Sequence, residues 1–213
     1  MKSGRETVKH CHPSIKSVTF DESRYTFSKD SDVERHWFTP EGDAVGLFFH
    51  DRPPDLPGGV LTPDELKDYY QTAVCGERIL MVEFDLVELA GVCCVWILLK
   101  LLQEPHGATY LGSLTIPFEN FSYVLKMQTD ELGITGLRET TLLLRGLGEG
   151  TVRFDADAKL NGEFNPYSAQ FDYLFPDHPL SRLRREFAQI KKSLRVHRDV
   201  MKENPFPLPG RGH

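Results

Sequence analysis

The sequence predicts an α+β fold: a twisted, mostly antiparallel sheet of about six or seven strands with helices packed on it. Three observations predict it. A strand-dense block spans residues 79–147, with links too short for crossover helices, so neighbouring strands must pair antiparallel. A helix with a complete start signal precedes that block, and a basic amphipathic helix follows it. The chain of 213 residues, 40% hydrophobic and 26% charged, suits one domain around one sizeable core.

Residues 1–14 read as a loose polar tail without the apolar stretch of a signal peptide. Residues 17–20 and 25–28 are β-prone and flank Asp21-Glu22-Ser23, which suits a hairpin. A polar segment, 29–35, then leads through Trp37-Phe38 into the turn Thr39-Pro40-Glu41-Gly42 and a strand over 44–50. Residues 51–59 hold three prolines and two glycines and form a rigid loop.

The first helix starts at Thr62, an N-cap followed by Pro63 and, three residues on, by Glu65. Cap and glutamate satisfy each other's free backbone donors, and Leu61 and Leu66 occupy the two staple positions. The helix should run to about Val74, with Gly76 as a left-handed stop.

In the sheet block, Leu80, Val82, Phe84 and Leu86 alternate with Met81, Glu83 and Asp85. Residues 92–102 are apolar on both faces until Lys100 and read as a central strand. After the turn at Pro105-His106-Gly107 come strands over 110–116 and 121–128, the latter with the cleanest period-two pattern in the chain. Residues 140–147 are expected as one more strand, and the Gly146–Gly150 glycines as a flexible exit from the sheet; their GxGxG spacing lacks a following helix and so does not make a phosphate loop.

Residues 148–178 read as a surface insert, with a short helical turn near 170–175. Over 179–202, Leu180, Leu183, Phe187, Ile190, Leu194 and Met201 form an apolar stripe beside a basic surface, with Asp177 and His178 capping the start. Pro205, Pro207 and Pro209 make 204–213 an extended, loose tail. The expected organisation is a single domain over 15–203 between two tails.

From Ser181 onward the chain carries nine Lys/Arg against three Asp/Glu, whereas the first 180 residues carry 16 against 28. An acidic body with a basic end suggests a charged partner or mutual attraction of the two parts. A nucleic-acid binder would show a basic body, so no nucleic acid is expected. The longest uncharged apolar run, 89–99, is eleven residues, against about 20 for a membrane helix, so no span is expected. Cys11, Cys75, Cys93 and Cys94 make no disulfide framework and fit reduced thiols in a cytoplasmic protein.

No motif of recognised catalytic spacing appears, and no catalytic residue, cofactor or metal is expected. His10-Cys11-His12 is the densest set of potential metal ligands but has no second pair at zinc-site spacing. Glu83 and Asp85 share a strand face about 7 Å apart, a separation open to acid–base pairs, yet solvated or helix-covered positions are far commoner. The basic helix has three readings: packed on the sheet with its charge toward the acidic body, bound to an anionic membrane or polyanion, or docked on a partner.

The Tyr25-Thr26-Phe27 stretch, Trp37-Phe38-Thr39-Pro40, the 62–74 helix and the strands to Leu147 together resemble the Mog1/PsbP-like fold, an α/β/α sandwich, over roughly 18–200. That resemblance implies a non-catalytic binder, of the kind found among bacterial secretion-effector chaperones, although the 148–178 insert and the basic helix depart from it. The leading expectation is therefore a cytoplasmic binding protein, an immunity protein or chaperone for a secreted bacterial toxin. Its acidic face, Asp51, Arg52, Asp55, Glu83 and Asp85, would grip a basic protein partner. The alternative is a small hydrolase or transferase whose site is assembled from scattered residues, marked by a deep pocket with buried His or carboxylate groups.

Overall fold

The chain opens with β1 (Val18–Thr19), β2 (Thr26–Asp30), β3 (Glu34–Phe38) and β4 (Ala44–His50), then α1 (Pro63–Val74). Four long strands follow: β5 (Ile79–Leu89), β6 (Val92–Leu102), β7 (Ala108–Pro117) and β8 (Ser122–Glu131). After α2 (Leu137–Glu149) come β9 (Arg153–Phe154), β10 (Leu160–Asn161), α3 (Pro179–Ser193) and β11 (Arg195–Val196). The computed structural model describes residues 12–57, 61–89, 91–131, 133, 135–155, 160–161 and 164–208.

Seven strands make one sheet in the order β2-β3-β4-β8-β7-β6-β5, every neighbour antiparallel. Two meanders, β2–β4 and β5–β8, join where β4 pairs with β8. The protein is thus α+β, as its short inter-strand links require.

Alternation divides the sheet into two faces. On β8, Tyr123, Leu125 and Met127 enter the main core, whereas Val124 and Lys126 point the other way. On β6, Cys94, Trp96 and Leu98 join the main core, and Val95 packs with Leu66 of α1 in a second, smaller one. Covered on both sides, β6 is the central strand its apolar run predicts.

α3 covers the main core, burying Leu180, Leu183, Phe187 and Ile190. Phe187 stacks on Trp96 with ring centroids 3.8 Å apart. α1 carries the predicted reciprocal cap: Thr62 Oγ1 accepts from the Glu65 N–H at 3.2 Å and Glu65 Oε2 from the Thr62 N–H at 2.7 Å. It ends on an extended Cys75, and Gly76 pairs with Ile79 instead of adopting a left-handed stop.

Several expectations are corrected. Val18–Thr19 pairs with β11 near the far end of the chain, not with residues 25–28; the hairpin partner of β2 is β3. Residues 140–147 are not a strand but the middle of α2, whose buried positions Arg138, Leu142 and Gly146 recur every four residues. Gly146 and Gly148 lie inside that helix, and Gly150 (φ 72°) is its left-handed cap rather than a loose exit from the sheet. α3 stops at Ser193, where Leu194 turns extended, so Met201 lies beyond it.

The residues after α3 are not loose as far as Leu208. Pro205 bridges to Phe118, the Phe206 N–H donates to the Pro117 carbonyl, and Leu208 packs on the small core beside α1. The His10-Cys11 pair, Gly58-Gly59 and Pro209 lie outside the described residues. Among the described residues no helix is long and apolar enough to cross a membrane.

Candidate functional site

Where the inner face of the sheet meets α2 and α3, apolar packing gives way to ionisable groups. Lys100 on β6 and Tyr110 on β7 are register partners, and Glu131 ends β8 two residues beyond Thr129, the partner of Tyr110. All three continue the inward-pointing phase of their strands. α2 adds Arg138 and Glu139 from its first turn, the segment before α3 adds Tyr167, and His178 is the cap of α3.

The frame is rigid. Arg138, fully buried, donates to the carbonyls of Pro166 and Ser168, to Asp172 Oδ1 and to Ser181 Oγ at 2.8–3.0 Å. Glu131 Oε1 accepts from the Gly136 N–H at 3.0 Å, tying the end of β8 to the start of α2. Lys100, 5% exposed, donates to Glu139 Oε1 at 2.5 Å, with the Tyr110 and Tyr167 rings each 5.4 Å away. Burial pushes the Glu139 carboxyl up, but hydrogen bonds from Lys100 and the backbone, the lysine's charge and the Tyr167 hydroxyl outweigh it. The carboxyl is held below its ordinary value. Burial first, and then the charge of Glu139, push the Tyr110 and Tyr167 phenols well above theirs.

His178 Nδ1 accepts from the Leu180 N–H at 3.2 Å, as an N-cap must. In the neutral ring this assigns the proton to Nε2, which lies 3.6 Å from Glu131 Oε1, beyond hydrogen-bond reach. Four buried polar atoms of the cluster are left without partners: His178 Nε2, Tyr110 Oη, Glu131 Oε2 and Glu139 Oε2. Orphaned buried polar atoms are uncommon and costly, and here two donors and two acceptors occur together.

Ligand atoms from Glu131, Glu139 and His178 all lie within 4.8 Å of one another. Around a tetrahedral ion with bonds near 2.1 Å they would stand about 3.4 Å apart, so atoms at the 4.8 Å limit would have to draw together to hold one. The protonation pattern fits less well. The cap bond leaves the proton on the nitrogen that would have to ligate, and the Lys100 ammonium already occupies Glu139. As folded, the donor set matches a water molecule or a carbonyl compound better than a cation.

Glu131 and His178 also line a pocket of about 550 Å³ walled by Leu137, Leu174, Phe175, Pro176 and Pro179, a size suited to a small organic molecule. Their orphaned atoms are shielded from solvent, although both residues belong to the pocket wall. The guanidiniums on the pocket wall are committed. Arg138 is saturated as above, and Arg182 grips both oxygens of Asp43 and the Asp177 carbonyl at 2.7–2.9 Å.

The five residues of the expected acidic face do not form one surface. Glu83 and Asp85 lie on the α3 side, opposite Leu98 and Trp96; Glu83 accepts from Trp96 Nε1 at 3.0 Å and from Arg184 Nε at 2.6 Å. Asp51, Arg52 and Asp55 follow β4, and Arg52 and Asp55 line a groove with Tyr70 and Ile97 on the α1 side. The basic surface of α3 is answered from within: Arg182 by Asp43, and Arg184 by Glu83 and Asp172.

The cluster itself was not singled out from sequence, yet two signals point to it. Lys100 is the one charge in the run over 92–102, and Glu131 falls three residues beyond the 121–128 alternation, in the same phase as its apolar positions. Glu139 and Tyr167 carry no such signal, because the first falls in the connection before the expected 140–147 strand and the second in the expected surface insert.

No protein-family model and no curated protein matches the chain. One solved structure that it resembles is a protein from Bacteroides thetaiotaomicron VPI-5482, at 10% identity and a TM-score of 0.37. The match covers 72% of this chain and 47% of that one, so the chain spans about half of that protein's length.

Proposed function

We propose that this protein is a small hydrolase acting on an acyl compound, with Glu131, His178 and Tyr110 as its reacting groups. The observation that carries this is the convergence of orphaned buried donors and carboxylate acceptors beside a pocket of small-molecule size. The substrate carbonyl oxygen would lie against the His178 Nε2–H and the Tyr110 hydroxyl, which stabilise the charge that develops on it. Glu131 Oε2 would take a proton from water as its oxygen bonds to the carbonyl carbon. The bond to the leaving group then breaks, and the same proton is returned to that group. The Lys100–Glu139 pair fixes the local field.

Access requires the His178 ring and the residues just before it to move aside. With both guanidiniums committed and Asp130, Asp177 and Glu131 on the wall, the pocket favours a neutral or cationic substrate over an anionic one. A panel of p-nitrophenyl esters and aryl amides with neutral, cationic and anionic acyl groups tests the reading. Turnover of a neutral or cationic member is expected; a protein inert toward the whole panel would overturn it.

A second reading, a cytoplasmic immunity protein or chaperone for a bacterial toxin, draws on the resemblance to the Mog1/PsbP-like fold. It is favoured by apolar side chains left in solvent on and beside α2: Leu137, Leu144, Tyr173 (73% exposed) and Leu174. In affinity capture from a bacterial host, a bound partner should be lost from Leu144→Lys/Tyr173→Lys. Capture that survives both changes would remove this surface from consideration.

A further inference from the structure

The opposite face of the sheet carries a second concave site, independent of the buried cluster. α1 packs on β5 and β6 there, and beyond its edge the floor changes from apolar to polar. Ile97 of β6, Ser113 and Thr115 of β7, Ser122, Val124 and Lys126 of β8, and His50 of β4 line a groove of about 220 Å³. Residues 52–56 of the loop after β4 and Tyr70 of α1 stand over it. Register explains how distant positions converge. Ser122 pairs with His50 and Val124 with Phe48, and Lys126 reaches back along its strand to lie 5.4 Å from the Phe48 ring.

The groove is rich in donors that have no partner among the described residues. Within the described residues no side-chain hydrogen bond or ion pair engages Arg52, Lys126, His50 or the three hydroxyls. Asp55 is the one carboxylate on the wall, and its charge acts on the Tyr70 phenol. The charges that reach His50 are both positive: besides burial, Arg52 and Lys126 hold its pKa below the ordinary value. Cations thus gather unneutralised in a protein whose net charge is −6, over a floor of hydroxyls. A carboxylate has two acceptor oxygens; a tetrahedral oxyanion has up to four and answers more of these donors.

We propose that this groove binds a phosphate-like oxyanion, with Arg52 and Lys126 supplying charge, His50 a further donor, and Ser113, Thr115 and Ser122 hydrogen bonds from the floor. At about 220 Å³ it fits the anionic group itself while the rest of a larger ligand stays in solvent. The free ion and a phosphomonoester share this chemistry.

The test is calorimetric titration of the full chain with inorganic phosphate and with phosphoserine at low ionic strength, alongside NMR titration of the His50 ring. Saturable binding with a Kd of about 1 mM or tighter is expected. The His50 pKa should rise by about 1 when the anion is bound, because an opposite charge favours the imidazolium. Tighter binding of phosphoserine would mark a phosphomonoester as the ligand, and equal binding the free ion. Arg52→Ala/Lys126→Ala should abolish both signals with an unchanged melting temperature, since both side chains are exposed. Absence of saturable binding, or binding that survives the double substitution, would overturn the proposal.

Discussion

Lys100 and Glu139 show how the cluster holds a charge where water is scarce. An ammonium that is 5% exposed is tolerable because a carboxylate meets it at 2.5 Å; against burial, that contact together with the backbone and Tyr167 hydrogen bonds holds Glu139 below its usual 4.5. Removing one partner strands the other. Glu139→Gln should therefore cost about 3–5 kcal/mol in urea unfolding at neutral pH. The pH dependence follows from the direction of the shift. A depressed folded-state pKa gives stability that is fully present above 4.5 and lost as pH falls through the folded value. The gap between wild type and Glu139→Gln should narrow below pH 4.5; a gap constant down to pH 3 would show that the pair does not stabilise the fold. Tyr110, Glu131 and His178 stand differently, because nothing within the described residues completes their hydrogen bonds.

At the level of elements, α3 approaches the sheet closely because β7 presents Gly112 beneath it. A Cβ there would sit 2.6 Å from Trp96 Cη2 and 2.9 Å from Leu183 Cδ2. Gly112→Ala should cost about 1–3 kcal/mol through overpacking, seen as a lower melting temperature. Gly148→Ala is the matched control: it lies in α2 with no atom within 4 Å of the added carbon and should gain about 0.5–1 kcal/mol. If both changes act alike, contact with α3 does not explain Gly112. α2 also shows why one element was misread. Its run Leu142-Leu143-Leu144 has the look of a buried strand, but only Leu142 is buried, and Leu144 is 64% exposed. Two of the three residues on its inner stripe are an arginine and a glycine, which no apolar period reports.

Across the whole molecule, the antiparallel sheet and its strands β4 to β8 were legible because alternation and short links are local properties of the chain. β3 was not, since it begins inside the polar segment 29–35. The β1–β11 pair was not, since its partners lie at opposite ends of the sequence. The charge asymmetry was legible as a number but not as a destination: Arg182 and Arg184 on α3 close onto Asp43 and Glu83, so much of the basic end is answered inside the fold. The site was the least legible part. Lys100 interrupts an apolar run and could be picked out, whereas Glu131 lies beyond the alternation of its strand and Glu139, Tyr167 and His178 come together only through α2 and the entry to α3. The central claim is that Glu131 removes a proton from water within this cluster. Its most direct test is kcat/KM on an ester the protein turns over, compared between wild type and Glu131→Gln, with the melting temperature measured on the same samples. A loss of about 100-fold or more with the fold retained is the predicted result; a folded Glu131→Gln protein with undiminished kcat/KM would contradict it.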